Sequence, residues 1–516
     1  MGKGKRIAVI TLSAAVLAVA AAAVAIPLLV DVDRYRPAVI RELEEATGKR
    51  VAIGHLGLSI FPRLAIRVND LALGNPPGFP KGDFLRARQI AVVVDAGALL
   101  HHRVVIERLE VDRPELTFLQ DTRGRWNFEN APAPKARTKE PEGGSVPFTL
   151  GVISRINVEK LDVSAANLLE SGRPGPFYFQ GRDVSAELED NDLARFAGSS
   201  PAAALHHEGL GEEPGLAFAA PPGPASAGHG TLKASTLQFG SLEATSVETK
   251  VRLFPKQVYL DGLTFNLYEG RGSGNLAFDF AGRNPHYRAQ ARIGGVDVAK
   301  MLETFPTARG KMTGKMGGNI KLEGLVTHSS DPLAGIEGTG DVDVKDGRMP
   351  SLQLKKNLMT LARLGSLGAA SGDPSSFSSI SADLNIANGR IASRKITVLG
   401  NGVAADGVGS MSLAGAGSLD YQGVAKLASR QAGVSNLLSA IAGAQESNGQ
   451  LSFPFTIGGT LDNPAFALRS GGASVRAGAI QQLINGQAGG ANSTQGQTSN
   501  PLGALSGLFK KKKPNP

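Results

Sequence analysis

The sequence predicts a mostly β protein with mostly antiparallel strands behind one N-terminal membrane helix. Three observations predict it. Ile7 to Val30 is an uncharged apolar run preceded by Lys3, Lys5 and Arg6. From about Val51 onward, apolar and polar residues alternate with a period of two, in short runs separated by Gly, Asn or Asp. Gly is abundant at 65 residues while aromatic residues make up only 5%, a balance that favours turns and strands over a helical bundle.

A spanning helix needs about 20 apolar residues. Ile7–Val30 supplies them, with Ile7, Leu12, Leu17, Val24 and Leu29 along its length. The run exceeds the core of a cleaved signal peptide, so an uncleaved signal anchor is expected. Basic residues before it and Asp31 and Asp33 after it put the N-terminus in the cytoplasm and the bulk beyond the membrane. A short helix is expected next, with Asp33 as N-cap, Pro37 in its first turn and Gly48 as its stop. Val39, Ile40, Leu43 and Ala46 share one face, suited to plugging one end of the sheet.

The strands follow. Leu56, Leu58 and Ile60 alternate, as do Leu64, Ile66 and Val68, and Ile90–Val94 is a more continuous run. Leu109, Val111, Leu116 and Phe118 come next, then Ile156, Val158, Leu161 and Val163. The later strands are cleaner, and Val247, Thr249, Val251 and Leu253 alternate with Glu248, Lys250 and Arg252. Leu263-Thr-Phe-Asn-Leu267, Leu276-Ala-Phe-Asp-Phe280, Ile320-Lys-Leu322 and Leu384-Asn-Ile386 repeat the pattern, and Leu451–Ile457 closes it. Helical patches are predicted over 298–305, capped by Asp297, and over 354–367, 432–441 and 475–484. Segments 131–147, 198–230 and 488–500 are rich in Pro, Gly, Ala, Ser, Gln or charge and predict loops. The expected organisation is therefore 1–30 basic flank and anchor, 31–197 N-terminal β region, 198–230 loop, 231–470 C-terminal β region, and 471–516 helical patch and basic tail.

One-sided strands have one apolar face and one wet face. Two such faces can cover each other in a sandwich, or one long curved sheet can leave its apolar face open. On the residues alone the sandwich is the commoner answer.

The function classes narrow by exclusion. With no cysteine there is no disulfide, thiolate metal site or cysteine nucleophile. The net charge of +9 is partly terminal, at Lys3, Lys5, Arg6 and Lys510–Lys513, and no basic stripe with interleaved aromatics marks a nucleic-acid binder. No phosphate loop, dinucleotide fingerprint or nucleophile elbow is present, so no enzymatic activity and no cofactor are expected. The pairs His101-His102 and His206-His207 are adjacent and cannot share one face of a regular element. Asp341, Asp343 and Asp346 before Gly347 fit the solvent face of a strand running into an Asp-Gly turn better than a calcium loop.

An ordered set of segments spanning both ends resembles the AsmA family of bacterial envelope proteins. After the anchor come Asp31-Val-Asp-Arg-Tyr-Arg-Pro37, Leu43-Glu-Glu-Ala-Thr-Gly-Lys-Arg-Val51, Phe61-Pro-Arg-Leu64 and Val68-Asn-Asp-Leu-Ala-Leu-Gly-Asn75. Ile106–Leu116 and Asp121-Thr-Arg-Gly-Arg-Trp-Asn127 follow. In the far half stand Gly340–Arg348, Phe377–Ile380, Ile386–Ile391 and Gly458-Gly-Thr-Leu-Asp-Asn-Pro464. The resemblance implies a long twisted β-groove anchored in the inner membrane and extending into the periplasm. It implies holding or moving phospholipids between inner and outer membranes, in support of outer-membrane biogenesis. The lining would then be Val251, Leu253, Leu263, Phe265, Leu267, Leu276, Phe278, Phe280, Ile320, Leu322, Leu384 and Ile386. Some twenty strands would stack to roughly 100 Å, which is short for a bridge, so either an outer-membrane or periplasmic partner protein is needed or the chain stops short of the outer membrane. The alternative is a non-enzymatic envelope scaffold that influences outer-membrane protein assembly or protein targeting to the membrane. At the C-terminus Leu502, Leu505, Leu508 and Phe509 share a helical face before Lys510 and Lys511, a candidate second membrane contact, with a solvated tail as the competing reading.

Overall fold

The computed structural model describes residues 31–61, 63–100, 105–129, 152–192, 226–282, 285–305, 308–325, 335–350, 375–400, 403–413, 417–428, 445–447, 450–461, 463–470 and 473–476. Among them, 22 strands join into one sheet. The first seven are β1 (Val51–Ala52), β2 (His55–Ser59), β3 (Ala65–Gly74), β4 (Asp83–Val94), β5 (Ile106–Gln120), β6 (Val152–Leu168) and β7 (Pro174–Asp192). Next are β8 (Gly228–Phe239), β9 (Leu242–Phe254), β10 (Gln257–Leu267), β11 (Gly270–Asp279), β12 (His286–Asp297), β13 (Thr313–Leu325), β14 (Ile336–Arg348) and β15 (Ser376–Ala387). The last are β16 (Arg390–Gly400), β17 (Val403–Ser412), β18 (Leu419–Ala428), β19 (Gln445–Ser447), β20 (Gln450–Gly459), β21 (Pro464–Ser470) and β22 (Ala473–Arg476).

Each strand pairs with the next in sequence, with two exceptions. β1 and β2 both lie against β3, and β19 and β21 both lie against β20. The 22 strands therefore fill 20 lanes. Pro454 of β20 falls in the gap between the stretches paired by β19 and β21, so on that side its missing N–H removes no ladder bond. Every pairing is antiparallel but one: β5 and β6 run parallel, Leu109 beside Ile156 and Phe118 beside Ala165. The segment between β7 and β8 is not a break in the sheet, because Glu189 pairs with His229 across it, and Gly228–Gly230, expected in a loop, already belong to β8.

No second sheet is present among the described residues, so the long single sheet, not the sandwich, is what forms. Its strands are bent at bulges. Register slips occur in β10, β12 and β16, and residues with positive φ lie mid-strand at Asp70, Arg113, Lys160, Asp183, Ser246 and Asp346. An extra residue on one strand bends it and increases the local twist. Asp346-Gly347, expected to be a turn, is such an irregularity inside β14: Asp346 takes φ 50° and Gly347 pairs with Phe377.

Helix α1 (Arg36–Thr47) plugs the first lanes. Val39, Ile40 and Leu43 pack on Val51, Ile53, Leu56 and Leu71. Gly48 ends it in the left-handed conformation, which costs glycine little, and its N–H donates to the Glu44 carbonyl. Asp33 is not its N-cap. A single 3-10 turn, Asp33–Tyr35, intervenes, and the Asp33 carboxylate instead accepts from the Leu56 backbone N–H. Helix α2 (Ala96–Leu100) follows β4, and α3 (Val298–Glu303) follows β12. Asp297 caps α3 by accepting from Lys300 N–H, and Val298 packs with Val344 and Phe377. Of the patch expected over 475–484, Val475 and Arg476 lie in β22.

Among the described residues no helix is long and apolar enough to cross a membrane. The expected anchor Ile7–Val30, the C-terminal contact Leu502–Lys511, the helical patches 354–367 and 432–441, and both His pairs lie outside the described residues.

Candidate functional site

Residues paired directly across a sheet point to the same face, so the register traces that face from lane to lane. One register row begins at Leu58 in β2 and runs through Ile66, Val92, Leu109, Ile156 and Leu188. It continues through Gly230, Val251, Leu260, Leu276, Ala289 and Leu322. It ends with Gly338, Ile386, Ile391, Met411 and Leu419. The row crosses every lane from β2 to β18 without meeting a polar side chain. At about 4.8 Å per lane it is about 75 Å long. The next row is its opposite: Arg67, Ala91, Glu110, Asn157, Glu187, Thr231, Lys250 and Asp261.

The expected lining residues fall on the apolar face together. Leu263, Ile320 and Leu384 share a row with Gly274, Ala291 and Gly340. Val251, Leu276, Leu322 and Ile386 lie on the long row already traced, and Leu253 and Phe278 both pair with Val258. Phe265 pairs with Gly272 and Leu267 with Gly270. Phe280 stands just past the end of β11, 48% exposed and stacked on Phe278 at 6.1 Å. Val251 and Ile386 are buried, and the others within strands are half-buried although among the described residues no second layer of strands covers them.

For Phe265 and Leu322 the half-burial comes in part from a pattern that alternation does not reveal. Large residues on this face sit opposite glycines, and their side chains fill the space a glycine Cβ would take: Phe265 over Gly272, Phe377 over Gly347, Leu322 over Gly338, Phe455 over Gly423. In the sequence these glycines look like turn residues.

The opposite face is charged and locally braced. Arg252 holds the Asp261 carboxylate and stacks over Tyr259, whose phenol is pushed up by burial. Glu269 accepts from Lys300 and Lys315, fastening α3 to β13, and those two lysines draw its carboxyl down. A depression of about 690 Å³ across β7–β11 is lined by Asp183, Ser185, Lys233, Glu248 and Arg271, together with Val247 and Phe265. The described residues bring together no group of three or more His, Asp or Glu able to hold a metal.

The N-terminal end of the apolar face carries a second built structure. Three segments distant in sequence converge there. Gly74 N–H donates to the Arg50 carbonyl, and the fully buried Asn127 donates through its amide to Asn75 Oδ1 and the Thr117 carbonyl, while its Oδ1 accepts from Leu119 N–H. Asp121 accepts from the backbone of Arg123 and Arg125 and from the Arg125 side chain. Burial opposes ionisation of Asp121, but those bonds outweigh it and hold its carboxyl below the usual range. Trp126 stacks on Phe128 at 5.6 Å, and Phe128 meets Phe118 edge-on, as Phe118 meets Phe84.

The AsmA family model matches residues 1–163. The N-terminal part of the chain, residues 1–163, is similar to the AsmA family. The matched stretch takes in α1 and β1–β5 and ends inside β6, just across the parallel junction. No curated protein and no solved structure matches the chain. The strands after residue 163 extend the sheet begun in the matched stretch, and they carry eleven of the twelve expected lining residues, with Phe280 just past the end of β11.

Proposed function

We propose that this protein holds or conducts phospholipids between the inner and outer membranes of the bacterial envelope. In this reading the anchor Ile7–Val30 fixes it in the inner membrane, its bulk lies in the periplasm, and no catalysis is involved. The observation that carries the reading is the unbroken apolar row from Leu58 to Leu419, with a charged row beside it on the other face. An apolar surface of that length on a folded chain marks a lipid or partner site. At about 0.8 kcal/mol per buried methylene, an acyl chain lying on the row gains several kcal/mol, so escape to water is rare. Sliding is cheap, because each methylene that leaves one lane reaches an equivalent one. An outer-membrane or periplasmic partner protein would extend a path that 20 lanes make only about 90 Å long.

The test is mass spectrometry of lipids carried by the full chain, beside a Phe265→Asp variant. Phospholipid on the native chain and less on the variant is expected. Trivial lipid on both would displace this reading in favour of a scaffold acting on outer-membrane protein assembly.

A further inference from the structure

The rim at the N-terminal end of the apolar face holds a buried cation that nothing described so far uses. Lys49 follows the Gly48 cap of α1 and is only 6% exposed. Its ammonium makes one hydrogen bond, 3.3 Å to the Phe128 carbonyl, and lies 5.8 Å from the centre of the Phe84 ring. Among the described residues no carboxylate comes within ion-pair distance of it. A second donor stands in the same aromatic cluster. Trp126 is 7% exposed, its ring is stacked on Phe128, and its buried indole Nε1 has no acceptor.

Buried donors without acceptors are costly, and a buried ammonium with two unused N–H groups more so. The missing partner must bring lone pairs and negative charge, which excludes a metal ion and favours an oxyanion. The site's position narrows the choice. Phe118, in the same ring cluster, pairs with Ala165 on the apolar face near the end of β5. Chemistry at this point is therefore an anion beside an apolar track.

We infer that Lys49 and the Trp126 indole N–H form a subsite for a phosphate-type oxyanion at the rim of the apolar face. The inference rests on the lipid-conduit reading and deepens it: acyl chains lie on the face while Lys49 holds the phosphate at its edge. The two segments that build the subsite, Gly48-Lys49 and Trp126-Asn127-Phe128, lie within the AsmA-matched stretch and meet only in the fold.

Trp126 is the chain's single tryptophan, so its emission reports on this site alone. The full chain in detergent is titrated with a short-chain phosphatidylglycerol, with the diacylglycerol of the same chains, and with inorganic phosphate. The phospholipid is expected to shift the emission saturably, Lys49→Met to weaken that binding by about tenfold or more, and Lys49→Arg to retain most of it. The diacylglycerol should bind the native chain and Lys49→Met alike. Circular dichroism of both variants confirms that they fold, and removing an unpaired buried charge should not harm folding. Inorganic phosphate binding as tightly as the phospholipid would overturn the headgroup assignment in favour of a free-phosphate site. Equal phospholipid affinity in native and Lys49→Met chains, with lipid still found on both by mass spectrometry, would overturn the subsite and leave the conduit standing. Absence of lipid and of any emission change would remove both.

Discussion

Replacing Phe265 by Asp places a carboxylate in the ninth lane of the apolar face. The change to the fold is small. Phe265 is half-buried, its ring laid over Gly272 and packed beside the Val184, Ala234 and Val247 cluster. Full burial of such a side chain contributes about 1.5–3 kcal/mol, so roughly half of that is lost, in one lane of a sheet whose ladders are otherwise intact. The effect on a sliding lipid is larger. Methylenes crossing this lane must strip water from an unpaired charge, which costs several kcal/mol. Taking about 4 kcal/mol, occupancy of the lane falls by about a thousandfold. An acyl chain is about 15 Å long, half the hydrocarbon thickness of a bilayer, and so covers about three lanes. The charge therefore denies static lipid only a few lanes, yet severs the path between the two halves of the sheet. Transfer of a fluorescent phospholipid between donor and acceptor vesicles should fall close to the rate without protein, while bound lipid measured by mass spectrometry drops only in part. A folded variant that transfers lipid at the native rate would show that the path does not cross β10.

Three further outcomes are expected. Asn127→Ala orphans Leu119 N–H and Thr117 C=O and frees Asn75, at a cost of about 2–4 kcal/mol, read as a red-shifted Trp126 emission and easier proteolysis near residues 121–129. Asp33 is lowered mainly by the Leu56 N–H, against some desolvation and with help from Arg36 and His55, so its bond to β2 contributes fully above the unfolded carboxylate value of about 4 and is lost as pH falls through the lower folded value; amide exchange at Leu56 should accelerate in that acid range and, in Asp33→Asn, show no such step. Glu269→Gln removes two exposed ion pairs and should leave the melting temperature within error, because such pairs contribute less than about 1 kcal/mol.

Alternation carried much of this fold. Val247 to Leu253 and Leu263 to Leu267 form strands because period-two patterning is how a one-sided strand is written, and the register then joins their apolar faces. Asp297 before Val298 was equally legible, because a cap needs only its own turn. What could not be read depends on distant partners. Asp33 has the chemistry of a helix cap, and only the fold shows that Leu56 N–H competes for it. Asp346-Gly347 tolerates positive φ in a turn and in a bulge alike, and the strand on each side decides. The parallel pairing of β5 with β6 follows a long connection with no period of its own. Lys49 reads as a surface lysine because its burial comes from Phe84 and Phe128, far along the chain.

The glycines bear most directly on why one layer suffices. A single sheet with one apolar face would ordinarily recruit a second layer, since large side chains standing up from it interdigitate with those of a partner sheet. Here they lie down. Phe265, Phe377 and Phe455 cover the bare backbone of Gly272, Gly347 and Gly423, and Phe377 and Phe455 become 8% and 6% exposed. Covering a strand glycine with an aromatic ring secures both lanes, and at Phe377 helix α3 adds Val298 to the cover. The same arrangement lowers the relief of the face, leaving little for a second sheet to interlock with and few pockets deep enough to hold one methylene in preference to the next. A large residue in place of Gly272 would force the Phe265 ring upright and roughen the track. The pairing that lets this sheet stand alone is thus also what keeps its apolar face even enough for an acyl chain to move along it.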